Sequence, residues 1–411
     1  MPIDRQLSRD VVLFSTADWD HPFWTNKQHV ASQLAAEGFR VLYVESLGLR
    51  RPTAGSRDLG RIGRRVRRAL QGLRQVNDNL WVGSPLAFPW HGNWLARSFN
   101  ERWLRRWLKR QCRRLDFQKP IVWTYNPLVG PLIDALDRSL LVYHCVDDLS
   151  AAPHMPSEAL HDAERELARA ADVNFATSRL LEARLAAINP DATHFLANVA
   201  DYDHFSQARS PGQIPDDLAA IPRPRLGFIG AISDYKVDFE LIATVARARP
   251  DWHWVLIGQV GEGQPDTSIE SLRLPNVHML GPRQYSRLPD YLRGFDVATI
   301  PARANPYTAA MFPMKFFEYL AAGVPVIASS VPALDEFSRA CELTGSPEEF
   351  IAAVARVLDG RRPDAEYCAE LARQFTWEWR MGQMLEILAA AARKRTADSG
   401  RAFDQAARSG L

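Results

Sequence analysis

The sequence predicts an α/β protein built as two doubly wound parallel sheets in tandem, and three observations carry that expectation. At 411 residues the chain is longer than one hydrophobic core comfortably holds. Short apolar runs alternate with amphipathic helical stretches, and the alternation occurs twice. Between the two series lies a polar stretch, 206–225, holding Pro211, Pro215, Pro222 and Pro224, which reads as a linker.

In the first series, 11–15, 40–45, 80–83, 121–125, 140–146 and 173–177 read as buried strands, with helical patterns at 23–36, 157–171 and 178–187. In the second, strands are expected at 226–230, 253–258, 277–280, 297–301 and 324–328, with helices at 238–248 and 313–322. A last amphipathic helix spans 377–393, and Trp377 and Trp379 at its start read as packing anchors. From about 395 the residues are small and polar, so a disordered tail is expected. The resulting division is a first domain at 1–205, a linker at 206–224, a second domain at 225–375, a helix at 376–394 and a tail at 395–411. Two Rossmann-like domains of this kind bind ligands at the C-terminal edges of their sheets.

Composition narrows the class. Hydrophobic residues make up 46% of the chain and charged residues 24%, as in soluble globular proteins. Cys112, Cys145, Cys341 and Cys368 are scattered without C-x-x-C spacing, which suggests a reducing compartment and no zinc or disulfide framework. The N-terminus has no apolar signal-like region and no run of about 18 apolar residues occurs, so neither export nor a membrane span is expected.

The net charge of +2 hides an asymmetry: residues 50–114 hold seventeen Lys/Arg against three Asp/Glu, a local charge of +14. One amphipathic stretch sets Ile62, Val66, Leu70 and Leu73 among Arg61, Arg64, Arg65, Arg67, Arg68 and Arg74. Another sets Leu95, Phe99, Trp103, Trp107, Leu108 and Leu115 among seven cations from Arg102 to Arg114. Basic helices with Trp and Leu suit an anionic membrane surface. A packed helix with a solvated basic face is the plainer alternative. Nucleic acid is disfavoured, because no zinc-finger, RRM or helix-turn-helix pattern accompanies the charge.

The segment 312–328, Phe-Pro-Met-Lys-Phe-Phe-Glu-Tyr-Leu-Ala-Ala-Gly-Val-Pro-Val-Ile-Ala, is the most informative. Pro313 suits a first helical turn and Gly323 the position just past the helix end. Lys315 and Glu318 then share one face near the positive end of a short helix. Amides and Lys315 there can take phosphate while Glu318 takes ribose hydroxyls; an ordinary surface ion pair is the alternative.

With these segments in order, the chain resembles the GT-B glycosyltransferases of the bacterial group 1 type over roughly 10–390. Trp19 to His29 lies where that family opens its acceptor cleft, and Asn198 to Phe205 is similar to its Asn-Gly-Val-Asp…Phe segment. Gly230-Ala-Ile-Ser-Asp-Tyr-Lys236 resembles the turn facing the donor pyrophosphate, and 275–281 is similar to its next strand. The first glutamate of the family's usual pair would fall at Ala310, and Ala231 stands where an arginine is common. That looks more like the P-x-K-x-x-E subset, similar to teichuronic-acid-type transferases. Around 141–147 and at Met314-Lys315 the chain also resembles the inverting glucuronosyltransferase of xanthan synthesis, whose general base maps onto Asp147.

The resemblance implies a nucleotide-sugar donor held by Gly230, Lys236, Arg283, Lys315 and Glu318, and an acceptor met by Trp19, His21 and Lys27. It implies catalysis by Asp147 and Lys315, with a lipid-linked saccharide as acceptor. Asp147 and Asp148 end a strand at a sheet edge, where burial could tune one for deprotonating a hydroxyl; either could instead cap the next turn. His144 falls on the opposite face of its strand and reads as a core residue. No D-x-D stands near the donor segment, so metal-independent chemistry without a cofactor is expected, with lysines supplying the charge. The expected setting is cytoplasmic, on the inner face of the membrane, in cell-surface polysaccharide assembly. A nucleotide-sugar epimerase and a non-catalytic membrane adaptor are the alternatives; a nicotinamide-dependent oxidoreductase lacks its G-x-G-x-x-G after the first strand.

Overall fold

A computed structural model of the chain describes residues 7–21, 24–47, 67–69, 72–86, 94–329 and 331–409. The first half forms an eight-stranded sheet of order β3-β4-β2-β1-β5-β6-β7-β8. Its strands are β1 (Asp10–Phe14), β2 (Arg40–Val44), β3 (Arg74–Asn77), β4 (Leu80–Gly83), β5 (Ile121–Thr124), β6 (Leu140–Cys145), β7 (Val173–Ala176) and β8 (Thr193–Phe195). All neighbours pair in parallel except β3 and β4. Val11 and Leu13 enter one core while Val12 and Phe14 enter the other. Helices thus cover both faces of the sheet, which is why its strands read as unbroken apolar runs.

The second half is a six-stranded parallel sheet of order β11-β10-β9-β12-β13-β14. Its strands are β9 (Arg225–Ile229), β10 (His253–Ile257), β11 (Val277–Met279), β12 (Val297–Ile300), β13 (Val326–Ser329) and β14 (Glu342–Thr344). The fold is therefore the expected pair of Rossmann-like sheets. Strands β3, β8 and β14 were not foreseen. They are three or four residues long and at or near the sheet edges, and β3 is exposed throughout, so none shows an apolar pattern.

The final helix, Trp377–Ser409, crosses back onto the first half. Trp377, Met381, Met384 and Leu388 join the core of the first sheet, and Gln33 donates to Glu378 at 3.2 Å. The expected disordered tail is helical as far as Ser409: its Ala, Arg and Gln are good helix formers, and Arg395 pairs with Asp172 at 2.6 Å. The expected linker is packed too, since Ala208, Leu218 and Ile221 are buried in the second core.

Of the first basic stripe, Arg61, Ile62, Arg64, Arg65, Val66 and Leu70 lie outside the described residues. Arg68 is committed to Asp18 at 2.8 Å and lies near Asp20 and Glu45. The second stripe is the helix Trp94–Arg114. Its aromatic and aliphatic residues do not share a face as expected: Leu104, Leu108 and Cys112 pack inward, whereas Phe99 and Trp103 are exposed beside Arg102 and Arg106.

Candidate active site

The helix Lys315–Ala322 is fixed at its C-terminal end. Gly323 adopts the left-handed conformation, φ 76°, that ends it. Arg209 donates to the carbonyls of Ala321 and Leu320 at 2.7 and 2.8 Å, satisfying groups that a helix end leaves open. Phe316, Phe317, Tyr319 and Leu320 bury one face. The Ile229 amide donates to the Tyr319 hydroxyl at 2.9 Å, tying the helix to the end of β9.

That strand end requires glycine. The Lys315 stem crosses Gly230 so closely that a Cβ at 230 would lie 2.2 Å from Lys315 Cε. A Cβ on Gly258, at the end of β10, would lie 1.7 Å from the Gly230 carbonyl oxygen. The Lys315 ammonium sits 5.5 Å from the Phe228 ring centroid. Lys315 and Glu318 are half-buried and make no contact ion pair among the described residues, so the surface-pair alternative does not hold.

Lys236 stands over the rings of Tyr235 and Tyr307, 5.3 Å from each centroid. Burial opposes its charge, but the Tyr307 and Tyr235 oxygens and the Asp147 and Glu262 carboxylates outweigh that and hold Lys236 above an ordinary lysine. Lys315 is pushed down by burial and by Lys236, with Glu318 only partly offsetting. Lys27 is pushed down by burial and by Lys236, with Asp147 opposing. Burial raises Glu318 to about 7, helped by Asp201 and opposed by Lys315. Two lysines depressed by burial beside a third cation describe a desolvated site that an incoming anion would stabilise.

The first half supplies Asp147. Its Oδ1 accepts from the Tyr307 hydroxyl at 3.0 Å, and its Oδ2 lies 3.9 Å from Lys27 Nζ. Lys27 is in the first turn of the helix Asn26–Ala36, whose cap Thr25 donates its amide to Gln28 at 3.1 Å. Asp148 has a different task. It caps the next turn, accepting from the Ser150 amide at 3.1 Å, and pairs with Arg184 at 2.7 Å. His144 is buried on the other face of β6 from Tyr143 and Cys145, as expected. It stacks on Tyr125 at 4.8 Å, with no partner for either ring nitrogen among the described residues.

Three expected site residues stand apart from this cluster. The Arg283 guanidinium is occupied by Asp217 and by the Tyr291 hydroxyl, partners that local sequence does not reveal. Trp19 is only 6% exposed, packed edge-on against Tyr43 at 5.1 Å, so its ring belongs to the core and not to a binding surface. His21 lies beside Glu262 of the second half, 3.6 Å away.

Two residues were missed. Glu262 sits between Gly261 and Gly263, with φ +75° and +87°; an acid bracketed by glycines just after a strand was the available signal. Tyr307 carried none beyond Asn305-Pro306, which opens the helix Pro306–Ala310. Ala310 is 1% exposed, and its carbonyl accepts from Ser178 of the first half at 2.7 Å. That position is an inter-domain contact, with no carboxylate.

A family model for glycosyl transferases of group 1 matches residues 223–360. A protein of Bacillus subtilis (strain 168), named as a teichuronic acid biosynthesis glycosyltransferase, is 31% identical over 278 residues, which are 62% of this chain and 68% of that one. Among solved structures, sucrose-phosphate synthase from Thermosynechococcus elongatus has a TM-score of 0.68 at 18% identity, covering 93% of this chain and 99% of its own. Anabaena Alr3699/HepE, solved with UDP and glucose, has a TM-score of 0.64 at 16% identity, covering 92% and 99%. At those identities the structural likeness speaks for the fold alone.

Proposed function

The chain belongs to the group 1 glycosyltransferases, enzymes of GT-B fold, and from that premise we propose that it moves a sugar from a nucleoside-diphosphate donor to a hydroxyl of a lipid-linked saccharide. The observation that carries the donor half is the Lys315 stem crossing the Gly230 strand end, with Lys236 near enough to act on its charge and Glu318 one turn along the helix. The diphosphate sits on the two ammonium groups and the ribose on Glu318; its charge offsets the burial, and the Lys236 repulsion, that depress Lys315. Residues 225–375 hold the donor, and 1–205 receive the acceptor.

Asp147 is the base. Its carboxylate takes the proton of the acceptor hydroxyl as that oxygen bonds to the anomeric carbon. The bond from that carbon to the diphosphate breaks, and the departing oxygen keeps the electron pair beside Lys236 and Lys315. Attack opposite the leaving group inverts the anomeric centre. A nucleotide-sugar epimerase would use the donor cluster without needing an acceptor base.

The membrane side of the proposal rests on the helix Trp94–Arg114, whose outward face carries Trp103 among arginines. No helix among the described residues is long and apolar enough to cross a membrane. The reading is therefore attachment to the inner surface, in cell-surface polysaccharide assembly. Mass spectrometry of nucleotide sugars retained by the purified protein tests the donor. Retention by wild type and its loss in Lys315→Ala are expected; equal retention by both refutes the assignment.

A further inference from the structure

We propose that Tyr307 is a positioning residue that aims the Asp147 carboxylate across the cleft, leaving Oδ2 as the oxygen that takes the acceptor proton. This rests on the reading of Asp147 as base. The Tyr307 hydroxyl donates to Oδ1 at 3.0 Å. The nearest charged atom to Oδ2 among the described residues is Lys27 Nζ, at 3.9 Å, beyond hydrogen-bond reach. One carboxylate oxygen is thus anchored while the other keeps its lone pairs for a substrate hydroxyl.

Tyr307 is held by the segment that carries the donor cation. It is 5% exposed and packs edge-on against Tyr235 at 5.1 Å. Asn305 caps its helix by accepting from the Thr308 amide at 3.1 Å, and donates to the Tyr235 carbonyl at 2.6 Å. Tyr235 and Lys236 are consecutive, and Lys236 stands over the Tyr307 ring. The aim of a first-half base is therefore set by the second-half turn that grips the diphosphate. Burial, with Asp147 beside it, pushes the Tyr307 hydroxyl far above ordinary tyrosine, so it stays protonated and keeps the hydrogen it donates to Asp147. The base is oriented when the two halves are together, and loses its anchor when they part.

The charged and titratable groups facing Asp147 are Tyr307, Lys27, Lys236 and Lys315, with Glu262 across those lysines. All but the first survive Tyr307→Phe, which keeps the ring and removes the hydrogen bond. For that variant kcat should fall about 10–100-fold, the usual worth of a hydrogen bond to a charged group, with the donor KM near wild type. A merely structural tyrosine would lower the melting temperature and would not confine the loss to kcat.

The double variant with Asp147→Asn should be no slower than Asp147→Asn alone. If the two losses multiply instead, or if Tyr307→Phe keeps the wild-type kcat, Tyr307 does not act through Asp147 and the proposal falls while the base stands. If Asp147→Asn turns over at nearly the wild-type rate, the base assignment fails first and takes this proposal with it.

Discussion

Gly230 and Lys315 share one volume: the absent side chain of the first is the room through which the second reaches the cleft, 2.2 Å separating a Cβ at 230 from Lys315 Cε. Gly230→Ala must therefore displace the ammonium or the strand end. Turnover should fall by about 10²–10³, the cost of losing one charge-stabilising donor at a reacting centre. Lys315→Ala should cost a similar amount. The double variant should lose less than the product of the two single losses, since truncating the lysine empties the space the methyl needs and leaves only the backbone strain of an alanine at φ +154°. Independent, multiplying losses in steady-state kinetics would show that the two residues do not act as a unit.

Glu318 makes the free protein and its nucleotide complex respond oppositely to pH. Burial and Asp201 raise its carboxyl from 4.5 to about 7, so between those values the folded chain keeps a proton that the unfolded chain has released. Its contribution to stability is complete below about 4.5 and is lost as pH rises through 7. Ribose hydroxyls need the ionised form as acceptor, so UDP should bind more tightly through that same rise. Calorimetry at pH 6 and 8 on wild type and Glu318→Gln separates this from titration of UDP itself, which is common to both. Identical pH dependence in the two proteins would remove Glu318 from the ribose.

Asp147 and Asp148 should fail in different ways. Asp147→Asn should lower kcat by about 10²–10⁴, the usual contribution of a positioned base, with donor affinity and melting temperature near wild type. Asp148→Asn should instead lower stability by about 1–3 kcal/mol, because it breaks the pair with Arg184, whose other partner is Glu164 at 3.1 Å. Its remaining activity per folded molecule should be close to normal. The reverse pattern, an inactive Asp148→Asn and an active Asp147→Asn, would exchange their roles.

What the sequence could disclose was local. The helix Lys315–Ala322, its end at Gly323 and the strand end at Gly230 each follow from a few neighbouring residues, so Lys236, Lys315 and Glu318 were legible as a group. Tyr307 and Glu262 were not. The first earns its place through Asp147, 160 positions away, and the second through lysines of three separate segments. Arg283 failed for the same reason, as Asp217, which claims it, lies 66 positions earlier. Trp19 looked like a loop aromatic facing a ligand; only its packing on Tyr43 and Trp24 shows otherwise.

Arg380 should prove a liability to the fold. It is 2% exposed and finds no acceptor among the described residues, with Trp379 beneath it at 5.8 Å. Burial pulls its guanidinium down to about 9. A buried cation without a partner costs more than an apolar side chain of similar volume, so Arg380→Met should stabilise the protein by about 1–3 kcal/mol in denaturant unfolding at pH 7.5. A destabilised variant would mean that Arg380 has an anionic partner in solution.

The helix Trp94–Arg114 gives the membrane reading a sharp test. Leu104, Leu108 and Cys112 anchor it to the first core, while Trp103, 44% exposed, faces outward among Arg102, Arg106, Arg110 and Arg113. Each cation near an anionic surface is worth about 1 kcal/mol. Reversing those four arginines to glutamate should therefore weaken binding to phosphatidylglycerol vesicles by at least about 10³-fold, without disturbing the inward face. Wild type should sediment with such vesicles at low salt and be released as salt shortens the reach of each charge. Trp103→Ser should leave the low-salt attraction but lower the salt concentration at which release occurs, because the ring's apolar contact is not screened. Sedimentation of the four-arginine variant equal to wild type would leave this face as an ordinary solvated surface and remove the electrostatic basis for a lipid-linked acceptor.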